Sequence, residues 1–331
     1  MKVVVTGGAG YVGSLLTGML LHRGAGVTVV DDLWFGGESL LGHWHHPGFR
    51  FVKGDLADPA VFTTHLCAGA DAIVHLAAVV GFPACQAAGR EMAWQYNVQT
   101  TRRMFEAADA AGVRRFVFAS TYSNYGLSPN GEPVTEDSPL HPQSLYAETK
   151  IAAERYLLNR TKWAVCAPVL CRFATLFGIS PRTRFDLLVN QFVLEAVTRR
   201  RLVIYQPVQT RAFVHVRDVC EAICLALEAP LATVRGQVFN VGSDASNYTK
   251  DEIAELVRHH VGGTYVEYRD LTVDGDMRDI RVSFAKIQRV LGFKAQLSVE
   301  DGIGEVRDAL RRGLISAPRG RRYRNARAVV R

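Results

Sequence analysis

The sequence predicts a doubly wound α/β fold: a Rossmann parallel sheet with a smaller C-terminal substrate-binding lobe. Three observations carry this. A β-type run at residues 3–6 leads directly into Gly7-Gly8-Ala9-Gly10-Tyr11-Val12-Gly13 and then into a helical pattern at 11–23. Further β-type runs recur at 27–30, 49–53, 72–75 and 116–120, with helix-length segments such as 98–111 between them. Strands spaced this way pair in parallel, because each crossover needs a helix's worth of chain. Finally, 331 residues suffice for one large α/β domain and a lobe.

A sixth strand is expected at 169–173, with Pro168 just before it, where a missing N–H is tolerated. After about residue 178 the pattern breaks up. Pro181 lies in a loop, 185–199 is helical, and short β runs stand at 202–205 and 213–216. A late run at 238–241 is expected to return to the main sheet. Thr249 is placed to cap an amphipathic helix over 249–261, and the helix 286–291 stops at Gly292. This divides the chain into a nucleotide-binding domain over 1–178, with 212–243 returning to it. A lobe follows at 179–211 and 244–314, and a basic tail at 315–331.

The net charge of +7 invites a nucleic-acid reading, but its distribution opposes one. Arg319, Arg321, Arg322, Arg324, Arg327 and Arg331 crowd the last 13 residues, and removing these six leaves a body of +1. A nearly neutral body is no footprint for a polyanion. The tail reads as a solvated or partly ordered extension. No apolar run reaches the ~18–20 residues of a membrane span, and the first residues do not read as a signal peptide. A cytoplasmic protein that binds neither nucleic acid nor membrane is expected. Cys67, Cys85, Cys166, Cys171, Cys220 and Cys224 form neither a C-x-x-C pair nor a disulfide framework. His43, His45 and His46 lack flanking ligands, so no metal site is expected.

The glycine spacing is G-x-x-G-x-x-G. Gly7 and Gly10 let the backbone turn tightly and approach a pyrophosphate, and Gly13 lets the helix lie close to the sheet. The first turn, Tyr11 and Val12 included, then aims N–H groups at the anion. Asp31 ends the second strand, 18 residues after Gly13. A carboxylate there accepts from a ribose 2′-hydroxyl and repels a 2′-phosphate, which favours NAD over NADP; Asp32 adjoins it. Asp55 and Leu56 follow the third strand, where they can meet the adenine. Leu76, Ala77 and Ala78 end the fourth, where small side chains let the backbone face a cofactor.

Tyr146 and Lys150 stand at i, i+4 in YAETK and so share a helix face. A nearby ammonium lowers a phenol from its usual ~10, fitting it to take a hydroxyl proton. Thr121 ends the fifth strand, where its hydroxyl can share that proton. A Thr, Tyr and Lys in this order after a dinucleotide motif is a strong combined signal.

TGGAGYVGS, DDL, GDLAD, HLAA, FASTYSNYG, YAETK, RFATLFG and RAFVHVRDV together resemble the extended short-chain dehydrogenase/reductases, specifically their NAD-dependent epimerase/dehydratase group. The resemblance runs from residue 2 to about 311. It implies Tyr146 as base, Lys150 as the cofactor-orienting cation and Thr121 as hydroxyl partner. It further implies Phe173 near the nicotinamide, Asn97 as support of the cofactor site, and a homodimer built on helices 98–111 and 147–158. Two departures matter. Ser123 stands where sugar dehydratases and decarboxylases carry a glutamate, and a serine is a poor acid for a leaving hydroxyl. Val80 stands where many UDP-galactose epimerases carry a longer polar residue. Segments 79–85, 180–190 and 274–283 are similar to enzymes that oxidise C4 of GDP-linked heptoses and to related 4-epimerases.

On the substrate side, Arg211 and Arg278 are the first candidates for a sugar-nucleotide diphosphate, whose paired oxygens suit the guanidinium fork. Arg182 and Arg184 in the loop after the sixth strand are further candidates. Asn190 is expected on a phosphate or the sugar, and Tyr205 in the base pocket. Thr175, Val80, Thr121 and Ser123 are expected beside the sugar. The expected activity is oxidation at sugar C4, either as a 4-epimerase that regenerates NAD or as a 4-dehydrogenase. The alternatives are a 4-ketosugar reductase, a dehydratase, and a non-catalytic NAD sensor.

Overall fold

The computed structural model describes the chain except residues 59, 60, 62, 63, 270–278 and 327–331. Twelve strands are described: β1 Lys2–Thr6, β2 Gly26–Asp31, β3 Phe49–Lys53, β4 Ala72–His75, β5 Arg115–Thr121, β6 Ala167–Phe173, β7 Thr175–Phe177, β8 Arg201–Tyr205, β9 Thr210–His215, β10 Val238–Val241, β11 Asn247–Thr249 and β12 Tyr265–Arg269. Seven form one parallel sheet in the order β10-β6-β5-β4-β1-β2-β3. The chain winds outward from β1 to β3, then resumes on the other side of β1 at β4. This reversal opens a crevice at the C-terminal ends of the strands, where doubly wound sheets bind ligands.

Both faces of the sheet are covered, so its strands are apolar on both sides rather than alternating. Val3 and Val5 join one core with Leu16, Leu20 and Val219, while Val4 points into the other with Phe105, Phe116 and Leu157. Pro168 lies within β6 rather than before it. Its carbonyl accepts from Gly236 N, so its absent N–H faces the loop ahead of β10 and no strand loses a partner.

The lobe is a three-stranded sheet, β11-β9-β7, and a parallel pair, β12-β8. Helices Leu188–Arg199, Lys250–Val261 and Val299–Arg311 close a separate core over them. Thr249 caps its helix through a reciprocal box with Glu252, and Ser298 does the same with Asp301. β10 rejoins the main sheet beside β6. β9 pairs with β11 and β7 instead, and helix Val216–Glu228 follows it. The helix expected at 98–111 is preceded by a π-helical turn, Gln95–Gln99, and proceeds as Thr100–Ala110.

The described part of the basic tail, 315–326, is docked on the body of the protein, which favours the partly ordered reading over the solvated one. The arginines make it look solvated in sequence, but each described anchor has a partner. Arg319 forks onto Glu195 at 2.8 and 3.1 Å, and Tyr323 packs edge-on against Phe185 with its carbonyl accepting from Phe185 N. Asn325 N donates to Asp186 Oδ2 at 2.8 Å. Burying Tyr323, which is 6% exposed, supplies the apolar area that holds the segment down. Among the described residues no helix is long and apolar enough to cross a membrane, and all six cysteines are free and buried.

Candidate active site

The glycine loop forms as its spacing requires. Gly7 takes φ +70°, and a Cβ there would lie 2.7 Å from Ala77 N. A Cβ on Gly13 would meet Gly7 O at 2.3 Å, so the start of helix Tyr11–His22 touches the loop itself. Gly8, which the spacing did not single out, is needed too: its Cβ would strike Val29 Cγ1 at 2.5 Å. The helix begins at Gly10 with no side-chain cap and no acid in its first turn. Its first N–H groups therefore face the crevice without an intrahelical acceptor, an anion site.

The crevice is a cleft over the C-terminal ends of the strands. Gly7, Gly10, Tyr11, Val12 and Gly13 form its floor, with Leu76, Ala77, Ala78 and Val80 along the end of β4. Asp31 and Asp32 stand at one end, with Asp55 and Leu56 beside them. Asp31 accepts from Ala9 N at 3.0 Å and Leu33 N at 2.8 Å, which aims the carboxylate and leaves lone pairs for a ribose hydroxyl. Burial raises its pKa, partly offset by those N–H groups and by Arg182. Asp55 accepts from Tyr96 OH at 2.7 Å, and Tyr96 stands edge-on to Trp34.

At the other end lie Thr121, Tyr146, Lys150 and Phe173. Helix Leu145–Arg160 starts at Ser144, whose hydroxyl accepts from Ala147 N at 3.2 Å, so Tyr146 and Lys150 sit on its first two turns. Tyr146 is half-buried. Lys150 is 3% exposed, donates to Ala119 O at 2.9 Å, and lies 4.7 Å above the Phe118 ring. Burial pulls its pKa down to about 8, against the opposing pull of Cys85 and Glu154. Thr121 Oγ1 donates to Ser123 Oγ at 3.0 Å and accepts from Ser123 N at 3.1 Å.

Behind this wall lies a polar frame. Asn97 does not line the crevice as a cofactor ligand. Its carboxamide pairs with the Val79 main chain and donates to Thr149 Oγ1 at 3.0 Å, next to Lys150. One turn beyond Lys150, Glu154 receives Arg172 Nε at 2.9 Å, Arg172 Nη2 at 2.6 Å, Ser120 Oγ at 2.5 Å and Asn124 Nδ2 at 3.0 Å, all buried. His75 Nδ1 lies 2.8 Å from Thr6 Oγ1 and Nε2 lies 3.1 Å from Thr101 Oγ1. Thr101 gives its proton to Asn97 O, so it accepts from His75 Nε2–H and the imidazole is the Nε2 tautomer. Burial lowers His75 to about 3, so it stays neutral.

Several expected substrate residues fall elsewhere. Ser123 is buried behind Thr121. Thr175 Oγ1 pairs with Tyr122 OH at 2.8 Å, while its neighbours Ala174 and Leu176 line the crevice. Asn190 is fully buried and spends its amide on Gly178 N, Gly178 O and Arg184 O. Tyr205 lies 37% exposed on β8. Arg211 is buried, donating to Thr210 O and Gln209 Oε1. Arg278 lies outside the described residues. Arg182 and Arg184 do line the crevice, but Arg182 stands at the Asp31 end, 3.8 Å over the Phe35 ring. The weld that puts it there was not visible in the sequence. Tyr11 OH donates to Gly178 O at 2.7 Å, and Ser180 Oγ donates to Tyr11 O at 2.7 Å. Trp34, Phe35, Tyr96 and Asn325 are lining residues that sequence reasoning missed. Only an aromatic pair after Asp31 signalled the first two.

A parallel sheet with a glycine-floored crevice at its switch point, an acidic residue ending β2, and a Tyr–Lys pair across the same crevice define a dinucleotide-dependent α/β enzyme class. The family model described as "NAD dependent epimerase/dehydratase family" matches residues 3–242, and the chain belongs to that family. NAD is its cofactor. The chain is 32% identical over 312 residues to the low-salt glycan biosynthesis protein Agl12 of Haloferax volcanii, covering 92% of this chain and 96% of that protein. It is 30% identical to a UDP-glucose 4-epimerase of Mycolicibacterium smegmatis, covering 92% and 97%. The crystal structure of DesIV, a dTDP-glucose 4,6-dehydratase from Streptomyces venezuelae with NAD bound, superimposes with a TM-score of 0.83 at 28% identity, covering 95% and 98%.

The residues present fit NAD. The floor is closed to any side chain by the Gly7 and Gly13 contacts, and the uncapped helix start and the Asp31 carboxylate supply the donors and acceptor that a pyrophosphate and a ribose require.

Proposed function

We propose that the protein is an NAD-dependent nucleotide-sugar 4-epimerase or 4-dehydrogenase. The observation that carries this is the composition of one crevice: Thr121, Tyr146 and Lys150 line it together with the glycine floor, while Ser123 lies buried behind Thr121. NAD, when bound, supplies the hydride acceptor for the sugar's C4. Tyr146 takes the C4 hydroxyl proton, and Lys150 lowers the phenol's pKa by proximity of its charge. Thr121 accepts or donates on the same hydroxyl once its proton leaves Ser123. No acid stands in the position from which a dehydratase protonates a leaving hydroxyl, so redox at C4 is the whole reaction. Asp31 favours NAD over NADP, which sets a 4-ketosugar reductase using NADPH below this reading. Arg211, which would exchange its bonds to Thr210 and Gln209 for phosphate oxygens, and Arg278 are the proposed ligands of the substrate's diphosphate, and a homodimer through helices Thr100–Ala110 and Leu145–Arg160 is the proposed assembly.

The test is to screen UDP-, GDP-, dTDP- and CDP-sugars for NADH formation and for C4 epimers. On the best substrate, Tyr146→Phe is expected to lower kcat by ~10²–10⁴-fold with NAD still bound. Full turnover by that variant would overturn the mechanism.

A further inference from the structure

Arg182 and Asn325 line the crevice from outside the main sheet, and each carries a buried polar atom with no hydrogen-bond partner among the described residues. Arg182, 6% exposed, leaves Nε and Nη2 unpaired; Asn325, 7% exposed, leaves Oδ1 unpaired. Buried orphans of this kind are costly unless a ligand satisfies them. Their chemistry differs in sign. Arg182 offers a guanidinium edge of two N–H groups beside the uncapped helix start, suited to the oxygens of a phosphate. Asn325 Nδ2 is committed to Val80 O at 3.3 Å. That bond orients the amide, so its Oδ1 can accept only from a donor, such as a ribose hydroxyl.

The two carriers are tied together. Arg184 pairs with Asp186 at 2.9 Å, Asp186 Oδ2 accepts from Asn325 N at 2.8 Å, and Phe185 N donates to Tyr323 O at 2.9 Å. Arg319 pins the start of the segment to Glu195 and Thr198 on the lobe. Ala326, just past Asn325, packs against the buried cluster of Val79, Ala84, Cys85 and Ala93 that also receives Trp34, Tyr96 and Tyr146. The segment thus runs from the lobe across to the end of β4, over the crevice. Burial and the neighbouring Arg184 also lower Arg182 to about 9, an environment that calls for an anion.

We propose that residues 319–326 are a strap that retains the dinucleotide, with Arg182 and Asn325 as its direct ligands: Arg182 on the pyrophosphate and Asn325 Oδ1 on a ribose hydroxyl. This rests on the crevice being the NAD site. A strap of this kind keeps the cofactor resident through oxidation and reduction, as an epimerase requires.

The test measures NAD binding rather than turnover. The full chain is stripped of nucleotide, titrated with NAD, and followed for NAD release after dilution. Arg182→Leu is expected to raise Kd at least 10-fold, and Asn325→Leu about 5–10-fold, for loss of one buried polar contact each. Arg319→Ala, outside the crevice, is expected to speed NAD release severalfold. Hydrogen exchange on the unmutated chain gives an answer that needs no variant: saturating NAD is expected to protect the amides of 319–326. Unchanged exchange there, or wild-type NAD affinity and release in Asn325→Leu and Arg319→Ala, overturns the strap. Absence of NAD binding by the unmutated chain overturns the cofactor assignment itself, and the strap with it. NAD retention without turnover of any sugar nucleotide overturns only the proposed reaction.

Discussion

The Asn97 carboxamide closes a two-bond ring with the Val79 main chain: Val79 N donates to Asn97 Oδ1 at 2.8 Å, and Asn97 Nδ2 donates to Val79 O at 3.0 Å. A side chain here does what a neighbouring strand would do, at the point where the chain leaves β4 and enters the crevice wall. The same Nδ2 reaches Thr149, so one amide couples that wall to helix Leu145–Arg160. Asn97→Ala is expected to destabilise the fold by ~2–4 kcal/mol, since it strands the Val79 N–H and C=O in a buried place. Urea unfolding checks this. Retained stability would show that the ring is dispensable.

Lys150 is held at a thermodynamic disadvantage. Its folded pKa of about 8 lies below the ordinary ~10.4, so at pH 7 the native state carries a penalty of ~3 kcal/mol for the buried charge. Between about pH 8 and 10.5 the unfolded chain binds a proton that the native chain lacks, and stability rises with pH. Lys150→Met is expected to stabilise the NAD-free protein at pH 7 by ~2 kcal/mol after the lost Ala119 bond is counted, and to abolish activity. It also removes the rise between pH 8 and 10. Denaturation at both pH values tests the sign; a variant less stable at pH 7 contradicts it.

The Arg172–Glu154 pair is almost wholly buried, with side chains 4% and 1% exposed. Replacing only the acid leaves an uncompensated guanidinium. Glu154→Gln is therefore expected to cost ~3–5 kcal/mol, and Glu154→Leu combined with Arg172→Met distinctly less. A double-mutant cycle in urea measures the difference. Equal losses would show that the cost lies in packing and not in the charge.

The proposed role of Asp31 in setting cofactor choice is directly testable. Asp31→Ala is expected to weaken NAD about 10-fold and to narrow the preference over NADP, because acceptor and repelling charge vanish together. Parallel titrations with NAD and NADP decide it, and an undiminished preference would relocate the discrimination elsewhere.

Much of the frame was legible from residue order. Each strand of the main sheet announces itself as a short apolar run, because a parallel sheet buried on both faces has no solvent side to encode. The glycine floor, Asp31 and the Tyr146–Lys150 pair were legible because their geometry is local: a strand, a turn and one or two helical turns contain it. The substrate arginines were less so. Arg211 looks available in sequence, yet its guanidinium is folded onto Thr210 and Gln209.

Spacings of a few residues suffice to specify the sheet, the glycine floor and the Tyr146–Lys150 pair. What closes over them is set by long-range packing. Arg182 reaches the Asp31 end because Tyr11 and Ser180 weld two segments more than 160 residues apart, and Asn325 enters the crevice because Tyr323 finds Phe185. Such contacts depend on where two distant surfaces meet once the cores have packed, and no local period or spacing encodes that.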